Sequence, residues 1–282
     1  FNFYNLTDSY MERLFSLTLI LILSAGLIIS CKKDKGEPPV LPAQESMIID
    51  FSNFATQKKS ADLLSDQKGT ENSNWDFAAT VAGVWNLIIN TTLAVPVTSF
   101  KLAVDQDPVF LSEKTWQWSY NFSVASVAYK ARLTGQIRTS DVLWKMYITK
   151  EGTGGFAEFV WFEGTSKSDG TGGQWILNQN SQSPGAMLQI DWTKTGTSIG
   201  SVKYTYVKNL DSFKTSYIEY GLTTSTLNAY YTIYYYTGLK FSDVNVEWNT
   251  TTHNGRVKCL EYLSDNKWYC WNEQKINITC LQ

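Results

Sequence analysis

Few side chains in this sequence can do chemistry, and their spacing restricts what that chemistry could be. The 282 residues hold one histidine, His253, in the turn-rich stretch Asn249-Thr-Thr-Thr-His-Asn-Gly255. A single imidazole in a polar loop makes neither a histidine metal cage nor an acid–base pair, and no Cys/His spacing suits zinc. We therefore expect no metal and no cofactor. Glu158 and Glu163 are five apart in one candidate strand, so strict alternation puts them on opposite faces. Asp191, Glu219 and Asp243 lie on strands whose pairing the sequence leaves open. A hydrolase needs two carboxyl groups about 5 to 9 Å apart in a cleft, and it is the less favoured reading. The glycine clusters Glu151–Gly155 and Ser168–Gly173 lack the strand-then-helix context and the lysine of a phosphate loop. With no catalytic signature, the chain is expected to bind rather than to react.

The cysteines carry more. Cys31 ends the run Leu14 to Ile29, which has no charged residue, and the charged stretch Lys32-Lys-Asp-Lys-Gly-Glu37 follows at once. The run is shorter than the roughly 20 residues that cross a bilayer as a helix, and it suits the hydrophobic region of a secretory signal. Ile28-Ile29-Ser30-Cys31 resembles the lipobox of bacterial lipoproteins, and the residues after it resemble those of Bacteroidota. That resemblance implies removal of residues 1–30 as a signal peptide, residues 1–10 lying upstream of a true start at Met11. It further implies acylation of Cys31 through sulfur, a lipidated tether over 31–46 and a location at the bacterial outer membrane. Glu37-Pro38-Pro39 and Leu41-Pro42 give the tether an extended, unpatterned composition.

Cys259, Cys270 and Cys280 remain. Ser264-Asp265-Asn266 is a turn cluster between two apolar flanks. If Ser264-Asp265 forms a two-residue hairpin loop, Cys259 stands directly opposite Cys270, at the roughly 4.5 to 5.5 Å Cα spacing that a disulfide tolerates. A Cys259–Cys270 bridge with Cys280 free is expected. Cys259–Cys280 and Cys270–Cys280 are the competing pairings.

The elements that must position these residues follow from periodicity. Aromatic residues make up 15% of the chain and charged residues 18%, which is ample for a core. The net charge of −2 gives no electrostatic case for nucleic acid. Asn74 to Leu93 repeats apolar residues at helical spacing, with Ser73 or Asn74 as cap and Pro96 as stop. Being apolar on most sides, this helix is expected to be buried on most sides, a second membrane span being the less favoured reading. From Val97 onward the period becomes 2. Alternation from Trp116 through Cys280, broken by Gly and Asn turns, predicts roughly eleven antiparallel strands, besides a short one over Met47 to Phe54. Leu227 to Tyr236 is aromatic at successive positions, which predicts cover on both faces.

Eleven strands at about 4.8 Å spacing are too wide for one helix to cover, so the sheet is expected to curl strongly or close. The expected fold is mainly β: a large, strongly curled antiparallel meander, half-barrel or barrel, with one buried N-terminal helix, in a single domain over 47–282. In layout only, this resembles the half-barrels of the Lol-type lipoprotein carriers. It implies a membrane partner through the lipid anchor and an apolar or lipid-like ligand in the concave face. A surface glycan-binding or adhesion module is the alternative.

Overall fold

Alternation along the chain becomes fourteen antiparallel strands in one sheet, in unbroken chain order. The computed structural model describes residues 35–54 and 71–280. The strands are β1 (Val109–Phe110), β2 (Thr115–Val124), β3 (Val127–Ile137), β4 (Asp141–Lys150), β5 (Phe156–Lys167), β6 (Gly172–Asn178) and β7 (Ala186–Thr195). They continue with β8 (Ser198–Tyr206), β9 (Tyr217–Leu222), β10 (Ala229–Tyr236), β11 (Phe241–Trp248), β12 (Gly255–Lys258), β13 (Tyr269–Trp271) and β14 (Asn277–Ile278). Every strand pairs with its neighbours in sequence, and β1 and β14 are edges. Both edge strands are two residues long, so β2 from Trp118 to Val124 has a strand partner on the β3 side only.

One face of the sheet is the core. Trp118, Leu133, Trp144, Phe162, Trp175, Ile190, Tyr204, Ile218, Tyr231, Val246, Val257 and Trp271 are all buried on it. The large rings fit because glycine stands beside them in register. Gly135 pairs with Trp144, which pairs with Gly164, which pairs with Trp175; Gly173 pairs with Trp192, and Gly255 lies between Trp248 and Trp271. A Cβ on Gly135 would stand 2.5 Å from the Trp144 ring, and one on Gly255 2.5 Å from the Trp271 ring. The missing side chains are the space into which the indoles lie.

A single long helix, α1 (Ser73–Ala103), covers this face. It touches β2 and β3 near one edge and β12, β13 and β14 at the other. Its cap is Asn72, not Ser73 or Asn74. The Asn74 amide nitrogen instead donates to Asn277 Oδ1 at 3.1 Å, and Asn74 Nδ2 donates to the Cys270 carbonyl at 2.9 Å. An orphan N–H at the helix start is thus satisfied from the far end of the chain.

The helix does not stop before Pro96 but runs through it to Ala103. A proline inside a helix costs about 3 kcal/mol. The turns beyond it bury Phe100 completely against Phe162 and Trp175. Such burial contributes about 1.5–3 kcal/mol for one large apolar side chain, and Ala103 is fully buried as well. Packing outweighs propensity here. At 31 residues α1 is long and apolar enough to cross a membrane by length and composition, and 39% of its most apolar window is buried against the rest of the fold.

Three further expectations change. Met47 to Phe54 is not a strand: turns of 3-10 helix at Gln44–Met47 and Ser52–Phe54 take up its two ends. The tether does not extend as far as Ser46, because Pro39, Pro42 and Ser46 are buried and the Trp175 indole donates to Ser46 Oγ at 3.2 Å. The compact unit begins at Pro38. Tyr230 to Tyr236 is not covered on both faces: Tyr231 and Ile233 are buried, whereas Tyr230 and Tyr234 are half-buried on the outward face.

Candidate functional site

The helix does not fill the space above the sheet. Val84 is 37%, Ile88 43% and Leu87 58% exposed, although Val81, Trp85 and Ile89 around them are apolar as well. Three exposed apolar side chains within five residues make this face a candidate binding surface. Thr80, Val81, Val84, Trp85 and Ile88 of α1 form one wall of a groove of about 490 Å³. Leu188 of β7, Tyr206 of β8 and Tyr235 and Tyr236 of β10 form the other, and Phe213 and Ser216 of the β8–β9 loop close one end. No lining residue is charged, and none is a histidine or cysteine. Such walls hold hydrocarbon or an aromatic ring and supply no group that could transfer a proton at neutral pH.

The loop that ends the groove is tied from within. The Phe213 amide donates to Asp211 Oδ1 at 3.0 Å, and the Tyr206 hydroxyl donates to Asp211 Oδ2 at 2.9 Å. These bonds, the backbone one foremost, hold the Asp211 carboxyl below its usual range. Burial, and then Asp211 itself, pushes the Tyr206 phenol up to about 12. Ser216 is buried and accepts the Tyr236 amide at 3.3 Å. Phe213 stays 52% exposed and meets the Tyr236 ring edge-on at 5.9 Å between centroids.

The residues singled out from sequence fare differently. Cys31 lies outside the described residues. Cys259 and Cys270 are not joined: the bridge is Cys270–Cys280, with Cα atoms 5.2 Å apart, and Cys259 is a free, buried thiol. The two-residue hairpin loop fails because Leu260–Leu263 forms a helical turn, α2, closed by Ser264 in the left-handed region. Tyr262 on that turn stacks on Phe77 of α1 at 4.0 Å. Cys270 consequently pairs with Arg256.

Glu158 and Glu163 do not face opposite sides. β5 bulges where the β5 partner of Tyr147 is Val160 and that of Met146 is Phe162, and the extra residue, Trp161, restores both carboxylates to the outward face. Arg132 holds Glu158 at 2.6 Å and Lys145 holds Glu163 at 3.2 Å. His253 is exposed in a turn with φ 62°, and its carbonyl accepts the Trp271 indole at 2.8 Å. Among the described residues no cluster of three or more His, Cys, Asp or Glu could hold a metal ion. The groove itself was not located from sequence. Its only trace was the apolar excess of Val81, Val84, Leu87 and Ile88, more than one helix face needs. Compared with known proteins, this chain matches no family model, no curated protein and no solved structure.

Proposed function

We propose that this chain is a membrane-anchored bacterial lipoprotein, acylated at Cys31, that binds an apolar or lipid-like ligand between α1 and strands β7 to β10. The groove carries the reading: an uncharged hollow walled by Val84, Ile88 and Leu188, of the size that ligand clefts commonly have, about 300–1,000 Å³. The sheet is read as curling around α1, which is why one helix reaches β2 near one edge and β14 at the other. The anchor rests on Ile28-Ile29-Ser30-Cys31 at the end of an uncharged run. In this reading the protein carries its ligand at the outer membrane and does not transform it.

Native mass spectrometry of the delipidated domain, purified from its host, tests the groove. A co-purifying apolar mass is expected, lost in Ile88→Asp while the protein stays folded. Ligand-free protein, or a ligand retained unchanged by Ile88→Asp, would overturn the reading. The anchor is tested separately: a Cys31→Ala protein is expected to take up no labelled fatty acid and to leave the membrane fraction.

A further inference from the structure

We infer that the outward face of β6 to β9, on the side of the sheet away from the groove, carries a second site, for a neutral sugar. Gln174, Asp191, Lys203 and Glu219 stand in direct cross-strand register on four consecutive strands. They rim a hollow of about 560 Å³ whose floor includes Gly172 and Ser201.

The heads of this row are fixed, but not by one another's charge. Asp191 accepts the side-chain amides of Gln174 and Gln189, one on each oxygen, both at 2.7 Å. Glu219 accepts the Tyr230 hydroxyl at 3.0 Å. Lys203 lies between the two carboxylates in register and forms no ion pair with either; its ammonium sits 3.8 Å above the centre of the Tyr217 ring. Opposite charges directly across a strand pair attract, and long side chains ordinarily close that gap. Here an amine and two carboxylates are held apart around an open space, each with hydrogen-bonding capacity left over.

The charge balance selects the ligand. Asp191 and Glu219 offset Lys203 and Lys167, and the remaining lining carboxylate, Asp141, is clasped by Arg138 at 2.6 and 2.7 Å. A neutral set of donors and acceptors favours neither phosphate nor a cation; it suits hydroxyl groups, which donate and accept at once. Aromatic rings stand beside it. The Tyr230 ring lies over Gly221, where a Cβ would come within 2.4 Å of it, and Tyr217 stands under the Lys203 ammonium. A pyranose offers hydroxyls around its edge, and a charge-balanced hydrogen-bonding row answers them.

The test uses the folded domain on a glycan array that includes neutral, sulfated and phosphorylated oligosaccharides, with Lys203→Met and Asp191→Asn as variants whose melting matches the parent. Retention of a neutral glycan, weakened about tenfold or more by either variant and unchanged by Ile88→Asp, is the expected result. Four results would overturn the inference: no glycan retained, retention at the parent's level in both variants, retention of charged glycans only that vanishes in about 0.5 M salt, or loss in Ile88→Asp as well. The groove and the outward hollow are thereby judged independently.

Discussion

At the scale of single residues, the core is defined by what its largest side chains touch. The indoles of Trp144, Trp175 and Trp271 donate to Ser166 Oγ, Ser46 Oγ and the His253 carbonyl. The Tyr204 hydroxyl, equally buried, has no hydrogen-bond partner. A buried polar atom without a partner costs about 1–3 kcal/mol. Tyr204→Phe should therefore leave stability unchanged or raise it within that range. Urea unfolding measures this, and a loss above about 1 kcal/mol would mean the hydroxyl is satisfied. The glycine pockets make the opposite case. Gly135→Ala places a methyl against Trp144, and overpacking of a tight core costs about 1–3 kcal/mol. The same measurement should show that loss. None of this pairing was legible in the sequence. Glycine in a strand reads as a weak point until the register shows which ring lies over it.

At the scale of elements, periodicity told most of the story and the exceptions have physical causes. The alternations from Trp116 to Val124, from Val127 to Ile137 and from Val142 to Ile148 became β2, β3 and β4 with little change, because a half-buried strand must alternate. Pro96 misled because propensity is a local quantity, whereas Phe100 is held by a pocket on β5 and β6. The bulge at Trp161 misled because one extra residue reverses every face beyond it. The disulfide misled because Tyr262 stacking on Phe77, a contact between distant segments, turns the expected hairpin arm into α2. The groove was hidden for a related reason: helical periodicity says that a face is apolar, not whether the protein itself covers it. The helix surface gives a direct contrast. Ala82 is fully buried, and Ala82→Asp should lower stability by several kcal/mol, about 3 or more. Ile88→Asp should cost less than about 1 kcal/mol, because Ile88 borders the open groove. Equal losses of melting temperature in the two would contradict this placement of α1.

At the scale of the whole molecule, tyrosines govern the response to alkali. Burial raises the phenols of Tyr120, Tyr204 and Tyr231, and holds Tyr220 and Tyr230 up at about 12. Their folded values lie above the unfolded value of about 10. The stability they contribute is complete below that pH and is lost as pH rises through the folded values. Unfolding free energy should fall steeply from about pH 10 upward, which urea titrations across that range would reveal. The Cys270–Cys280 bridge works on the same scale. Cys280→Ser should cost about 2–3 kcal/mol, and non-reducing peptide mapping should recover the Cys270–Cys280 link. That bridge spans β13 and β14, whose Asn277 holds the first turn of α1, while every other strand finds its partner in the hairpin just before or after it. Such a chain can zip its sheet hairpin by hairpin as it leaves the ribosome, with little loop-closure entropy at each step. The helix is synthesised before the fourteen described strands, yet its start is fastened by β14. The segment from Cys270 to Cys280 therefore acts as a latch: a nascent chain that has not yet reached it has most of its sheet but an unfastened lid, and the first turn of α1 is tied down only once Asn277 has been made.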